Sequence, residues 1–179
     1  LSFIKDASID VIFCHWALTL MDPVVTVLET VKRLLKKQGI FSAIVDGDLN
    51  SAKGYLEIHN IIYKYVQKKF PNYGLLELGD PRVRSSKSLD KLIKKIFSES
   101  EISITQHILT CKQKPNILAN QVAGFFYASL ILSSKHYDIL VSKLTDYFMK
   151  NSVGGLSDFN LPVNLLVVKQ TSKSYFMTR

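Results

Sequence analysis

Three residues with reactive or recognition side chains stand together near the start of the chain: Cys14, His15 and Trp16. Histidine is the side chain most often used for proton transfer in enzymes, so His15 is a candidate to take a proton from an acceptor hydroxyl or amine. Cys14 has no base and acid beside it that would indicate a nucleophile, and it is also a typical small core residue. Proton transfer at His15 is therefore a hypothesis, with simple packing of His15 and Trp16 as the alternative.

Two carboxylates and a tyrosine form a second group of candidates. Asp46 and Asp48 follow a short apolar run, and Tyr55 stands in the next helical pattern. Open α/β sheets bind ligands beyond the carboxyl ends of their strands, so these side chains are candidates for substrate contact. Turn formation and helix capping are the alternative for the two aspartates, and core packing is the alternative for Tyr55.

The elements that must position these residues form a strand, a helix and a second strand. Residues 9–13 are a short apolar run, typical of a strand buried on both faces. Asp22 occupies an N-cap position and Pro23 the first helical position, because proline has no N–H to leave unpaired. Gly39 marks the end of that helix, and residues 40–45 are again apolar. The pattern predicts a right-handed βαβ unit.

This unit resembles the fourth strand, following helix and fifth strand of class I S-adenosylmethionine-dependent methyltransferases. The resemblance rests on Asp10-Val11-Ile12-Phe13-Cys14-His15-Trp16-Ala17-Leu18, on Asp22-Pro23 and on Leu34-Leu35-Lys36-Lys37-Gln38-Gly39-Ile40-Phe41. Lys37 and Gln38 depart from the family pattern, since Pro-Gly is usual there. The resemblance implies S-adenosylmethionine as cofactor and places Cys14, His15 and Trp16 where the family's fourth strand meets the methyl donor, with Trp16 also contacting the acceptor. Asp46, Asp48 and Tyr55 are candidate substrate contacts from their own positions in the sequence.

The fold that the resemblance implies is α/β, as the C-terminal part of a Rossmann-like methyltransferase fold. Such a fold has a mostly parallel sheet with an antiparallel edge pair, helices on both faces and, here, a helical insertion. The glycine-rich cofactor turn of this family does not occur in the sequence, and the chain opens with Leu1. We therefore expect residues 1–179 to be a partial methyltransferase domain, with residues 115–151 as an inserted cover on the substrate side.

Periodicity predicts the remaining elements. Apolar residues at helical spacing predict helices over 51–70, 88–98, 117–133 and 135–150. Alternation of apolar and polar residues over 101–110 predicts a half-exposed edge strand, and 163–169 reads as a last apolar strand. Residues 171–179 are predicted to be a frayed tail.

Composition limits the classes of function. The net charge is +8, but the lysines are scattered, and neither a recognition helix nor an aromatic stacking platform accompanies them, so we expect no nucleic-acid partner. Cys14 and Cys111 are too few for a disulfide framework, which fits a cytoplasmic setting. The longest apolar stretch, 117–132, is too short to span a membrane, and no histidine has a zinc-site spacing.

Two functions follow from these observations. The first is methyl transfer from S-adenosylmethionine to a small-molecule or lipid-like acceptor, as part of a larger enzyme. The alternative is a catalytically inactive, methyltransferase-like fragment that acts through self-association or partner binding. Without a neighbouring strand, the edge of strand 9–13 would leave N–H and C=O groups unpaired. We therefore expect a homodimer, or a missing N-terminal segment, to pair at that edge.

Overall fold

The computed structural model describes residues 3–74 and 80–171. Its Cα positions form two compact units, the first containing residues 3–48, 80–107 and 163–171 and the second containing residues 49–74 and 108–162. The predicted insertion at 115–151 falls in the second unit. Beyond Thr171 the predicted tail lies outside the described residues.

Four strands form one sheet: β1 (Ile9–His15), β2 (Leu35–Asp46), β3 (Glu101–Gln113) and β4 (Ser157–Lys169). Their order is β1-β2-β4-β3, with β1 parallel to β2 and β4 antiparallel to β2. Helix α1 (Val24–Leu34) joins β1 to β2. The predicted βαβ unit, the mixed α/β sheet and the edge position of the strand at 101–110 are thereby confirmed.

Five further helices follow α1 in the described residues. They are α2 (Tyr55–Gln67), α3 (Ser86–Ile96), α4 (Pro115–Phe125), α5 (Ala128–Ile131) and α6 (Ser134–Lys150). The predicted helix over 117–133 is divided, because Tyr127 adopts a φ of 57°, which no helical residue can keep. The helix predicted from residue 51 begins later, after Gly54 turns the chain with a φ of 80°.

The core of the first unit lies between one face of the sheet and helices α1 and α3. Along β2, Phe41, Ala43 and Val45 are at most 1% exposed, while the residues between them are half-buried. Leu28 of α1 and Ile93 of α3 belong to the same buried cluster. Burial of these side chains holds the carboxyl ends of β1 and β2 side by side.

The ends of α1 differ from the prediction. Pro23, not Asp22, is the N-cap, with φ −78° and ψ 123°, and no side chain caps the helix. The helix ends at Leu34 rather than near Gly39, because Leu35 is already buried in β2. Ile9 pairs with Leu35 and Val11 with Ile40, so β2 bulges between these pairs.

Gln38 lies in this bulge with a φ of 63°. In this left-handed conformation the Cβ atom of any residue other than glycine crowds the backbone. Gln38→Gly is therefore expected to raise the free energy of unfolding by about 0.5–1 kcal/mol, measured by urea denaturation. Lys37→Gly is the matched control, because Lys37 is not among the residues with positive φ. A Gln38→Gly protein no more stable than the Lys37→Gly protein would contradict the prediction.

An aromatic cluster fills part of the second unit. The rings of His59 and Tyr63 stack at 3.8 Å, Tyr63 lies 4.8 Å from Tyr73, and the ring of Phe126 lies 6.1 Å from His59. The Nδ1 atom of His59 is buried and has no hydrogen-bond partner among the described residues. Burial lowers the pKa of His59, because charging the imidazole there loses hydration.

This lowered pKa predicts acid sensitivity of the second unit. The unfolded chain binds the proton more tightly, so the stability that neutral His59 contributes is present above its unfolded pKa of about 6.5 and is lost as pH falls through the folded pKa. His59→Phe is expected to reduce the fall in melting temperature between about pH 7.5 and about pH 5. His107→Phe, at an exposed residue of β3, is the control. Equal pH dependence in wild type and His59→Phe would refute this assignment.

Candidate functional site

The backbone at the carboxyl end of β1 is strained at Trp16, whose φ is 53°. A bulky residue rarely adopts this conformation, and it persists only where the surroundings hold it. Here the Trp16 N–H donates to the carbonyl of Ile44 at 3.0 Å, and Thr19 Oγ1 donates to the carbonyl of Trp16 at 2.9 Å. Such strained positions cluster at functional sites, so Trp16 marks the candidate site of this unit.

Trp16 and Asp46, two residues predicted from sequence, are in direct contact. The indole Nε1–H of Trp16 donates to Asp46 Oδ1 at 2.8 Å, which joins the ends of β1 and β2. The backbone carbonyl of Asp46 accepts a 3.2 Å hydrogen bond from Asn164 Nδ2 of β4. Asn164 is fully buried, and the sequence prediction missed it. The available signal was an amide inside the apolar run of residues 161–168.

His15 and Cys14 point to opposite faces of the sheet, as neighbours on a strand do. His15 is exposed, and its ring lies edge-on to Trp16 at 4.7 Å and stacked on Phe13 at 6.2 Å. Cys14 is half-buried and packs against the core of the first unit, where burial raises the pKa of its thiol. The exposed imidazole is therefore the side chain of this pair that is accessible for proton transfer.

Asp48 and Tyr55 have structural contacts of their own. Asp48 Oδ2 accepts a 2.9 Å hydrogen bond from Ser86 Oγ, at the first residue of α3. Tyr55 opens α2 in the second unit, where its buried ring lies 5.9 Å from Phe159 and 6.2 Å from Phe126. The contacts of Tyr55 support its packing alternative. Asp48 does not cap α2, which has no side-chain cap. Substrate contact by Asp48 and Tyr55 stays a prediction.

Residues 3–74 and 80–171 contain neither a cluster of metal ligands nor a helix that could cross a membrane. No three histidine, cysteine or acidic side chains in these ranges could together hold a metal ion. None of the helices in the same ranges has the length and apolar character needed to cross a membrane.

The Trp16–Asp46 hydrogen bond predicts coupled mutational effects. Trp16→Phe and Asp46→Ala are each expected to lower the free energy of unfolding by about 1.5 kcal/mol, because each removes a bond between an N–H and a carboxylate. The double variant should lose about 1 kcal/mol less than the sum of the two losses, measured by urea denaturation. Asp46→Asn, which keeps an acceptor oxygen, is the control. Fully additive losses would show that the bond contributes nothing.

One family model matches the first segment of the chain. A family model described as a methyltransferase domain matches residues 2–43, which contain β1, α1 and most of β2. No curated protein matches the chain.

Solved structures match over nearly the whole chain. YcgJ from Bacillus subtilis matches with a TM-score of 0.52 and 14% identity, over 97% of this chain and 68% of its own. A methyltransferase described as putative, from Bacillus halodurans, matches with a TM-score of 0.51 and 13% identity, over 94% and 67%. Loganic acid methyltransferase with SAH matches with a TM-score of 0.50 and 12% identity, over 94% and 63%. The chain therefore has a class I methyltransferase-like fold and spans about two thirds of the length of these structures.

Proposed function

We propose that this chain is the acceptor-side part of an S-adenosylmethionine-dependent methyltransferase that acts on a small-molecule or lipid-like acceptor. The observation that carries this proposal is the match of residues 2–43 to a methyltransferase domain. The matched segment contains Cys14, His15 and Trp16, the predicted cofactor contacts. Residues 115–151 are proposed to cover the substrate side.

The residues at the end of β1 fit part of a cofactor site. When bound, S-adenosylmethionine supplies a methyl group on a positively charged sulfur. The half-buried indole ring of Trp16 offers aromatic surface, which attracts a cation. The sequence has no glycine-rich turn of the kind that holds the rest of such a cofactor. His15 and Trp16 would therefore hold only one side of it, since the side chain of Cys14 points to the opposite face of the sheet and packs against the core.

His15 and Trp16 have separate roles in the proposed reaction. His15 would take up the proton that the acceptor hydroxyl or amine loses on methylation, while the bond between the methyl carbon and the sulfur breaks and S-adenosylhomocysteine is the leaving group. Trp16, fixed by Asp46 and Thr19, orients the acceptor, since methyl transfer is an in-line displacement that depends mainly on positioning. Asp46, Asp48 and Tyr55 are proposed to contact the acceptor.

Calorimetric titration of S-adenosylmethionine and S-adenosylhomocysteine into the purified chain tests this function, with light scattering to determine its molar mass. Dissociation constants in the micromolar range, weakened by Trp16→Ala, would support it. No binding to a chain that circular dichroism shows to be folded would refute a donor site in this chain. His107→Ala, at an exposed residue of β3, is the control.

A catalytically inactive, self-associating chain is the second candidate, and the open edge of β1 favours it. Within the described residues β1 has β2 as its one neighbour, and Val11 and Phe13 are 61% and 58% exposed. A second copy, or a preceding segment, would pair with that edge. In that case Val11→Lys should shift the molar mass of a dimer toward that of the monomer. A monomeric wild type with rapidly exchanging β1 amides would exclude self-pairing.

The proposed location is the cytoplasm. Cys14 is half-buried and Cys111 is exposed, and both are free thiols. Free thiols persist in a reducing compartment.

A further inference from the structure

Helices α1 and α3 of the first unit border a cavity of about 660 Å³ that the proposed methyl transfer does not use. Its floor is apolar. Leu92 and Ile96, one turn apart on α3, are 3% and 8% exposed, and Val25 of α1 lines the same cavity. These aliphatic side chains lie below the surrounding surface. Apolar groups of a partner would therefore enter the cavity, rather than the cavity's own side chains entering the partner.

The rim of the cavity is cationic. Lys32 and Arg33 of α1, Lys95 of α3 and Arg82 line it, and Glu29 is the acidic residue of the lining. Four positive side chains thus face one negative side chain. The sequence suggested scattered lysines, but the fold brings these cations to one groove because residues 25, 29, 32 and 33 share one helical face, as do 92, 95 and 96.

Local contacts neutralise Arg33, which pairs with Asp6, but leave Lys32 and Lys95 without a carboxylate partner within the described residues. Lys32 Nζ donates to the carbonyl of Ile96 at 2.7 Å, which uses one of its three donors. Arg82 is paired with Asp80, to which its Nε donates at 2.9 Å. Lys95 is exposed and forms no hydrogen bond or ion pair within the described ranges. Lys95 is therefore the cation best placed to meet a negative group at the rim.

We propose that the groove between α1 and α3 binds an acidic amphipathic segment of a partner protein. Apolar side chains of that segment would lie on Leu92, Ile96 and Val25, and its carboxylates would meet Lys95 and Lys32. Charge complementarity carries the choice of an acidic partner. Nucleic acid fits less well, because the lining offers no aromatic ring on which a base would stack. A membrane surface fits less well, because the apolar residues are recessed rather than protruding.

Fluorescence anisotropy with a labelled synthetic peptide tests the proposal. The acidic probe is an amphipathic helix with leucine along one face and glutamate on its flanks. The control probe has lysine in place of glutamate. We expect binding of the acidic probe alone. Lys95→Glu should raise its dissociation constant about tenfold, and Glu29→Lys should lower it several-fold.

Lys91→Glu is the matched control, since Lys91 is exposed on α3 but does not line the cavity. An unchanged dissociation constant for Lys91→Glu supports the groove. Equal weakening by Lys91→Glu and Lys95→Glu would show a non-specific charge effect and would overturn the proposal. Absence of binding to the folded chain would also overturn it. An RNA oligonucleotide or phosphatidylserine vesicles could also compete with the labelled probe. If either displaces it at a lower concentration than the unlabelled acidic peptide does, the partner is of that other class and the proposal is overturned.

Discussion

Asn164→Asp is expected to lower the free energy of unfolding by about 3 kcal/mol or more at neutral pH, because it places an unpaired charge in the core. Asn164 is 0% exposed, and its Nδ2 donates to the carbonyl of Asp46 at 3.2 Å. Its Oδ1 has no hydrogen-bond partner within the described chain. A carboxylate of the same shape would face the Asp46 carbonyl as a second acceptor, with no donor to compensate its lost hydration.

The pH dependence of Asn164→Asp separates this cause from loss of the hydrogen bond. Burial should raise the folded pKa of the introduced carboxyl above its unfolded value of about 3.9. The folded variant then holds the proton more tightly, so its stability falls as pH rises through that window and recovers in acid. Asn164→Leu loses the same donor without adding charge, and we expect a pH-independent loss of about 1–2 kcal/mol. Equal losses for both variants at neutral pH in urea denaturation would refute the charge explanation.

The βαβ unit was predictable because its information is local. Ile9 to Phe13 and Ile40 to Val45 are apolar runs, which predicted the two strands. The prediction that residues 9–13 are buried on both faces was wrong, because β1 is an outer strand of the described sheet and Val11 and Phe13 are 61% and 58% exposed. The alternation of residues 101–110 likewise predicted the edge strand, which β3 extends to Gln113. Helix boundaries were less predictable, because the end of α1 depends on the partner strand. Lys36 leaves the helix to pair with Asp10 of β1 at 2.8 Å.

The candidate site was predictable in its residues but not in its contacts. Trp16 and Asp46 both follow strands, and strand ends mark ligand sites in open α/β sheets. Their hydrogen bond depends on the positive φ of Trp16 and on the register that pairs His15 with Ile44. The amide of Asn164 inside an apolar run was a local signal that this residue needs a hydrogen-bond partner. Its partner, the Asp46 carbonyl, lies on a strand more than a hundred residues earlier, so local patterns do not identify the bond.

The second large effect is expected at His15. If His15 accepts the acceptor's proton, His15→Gln should lower turnover at least about hundredfold, because glutamine keeps polarity and size but cannot take up a proton. Turnover is measured as release of S-adenosylhomocysteine with the best acceptor from a panel of small alcohols and amines. His107→Gln, on β3, controls for removal of an exposed histidine.

The packing alternative for His15 predicts a different pattern, because its ring lies 4.7 Å from Trp16 and 6.2 Å from Phe13. If His15 is a packing residue, His15→Gln should lower both the thermal stability and the affinity for S-adenosylhomocysteine. Turnover should then fall only as far as binding falls. If His15 is the proton acceptor, His15→Gln should change the affinity for S-adenosylhomocysteine by no more than about twofold, while turnover falls at least about hundredfold. The lost interaction then acts in the transition state and not in the ground state. In that case His15→Gln should also remove the acidic limb of the pH–rate profile, because that limb reports the essential base. A His15→Gln protein that keeps that limb assigns the base to another residue and leaves His15 as packing for Trp16.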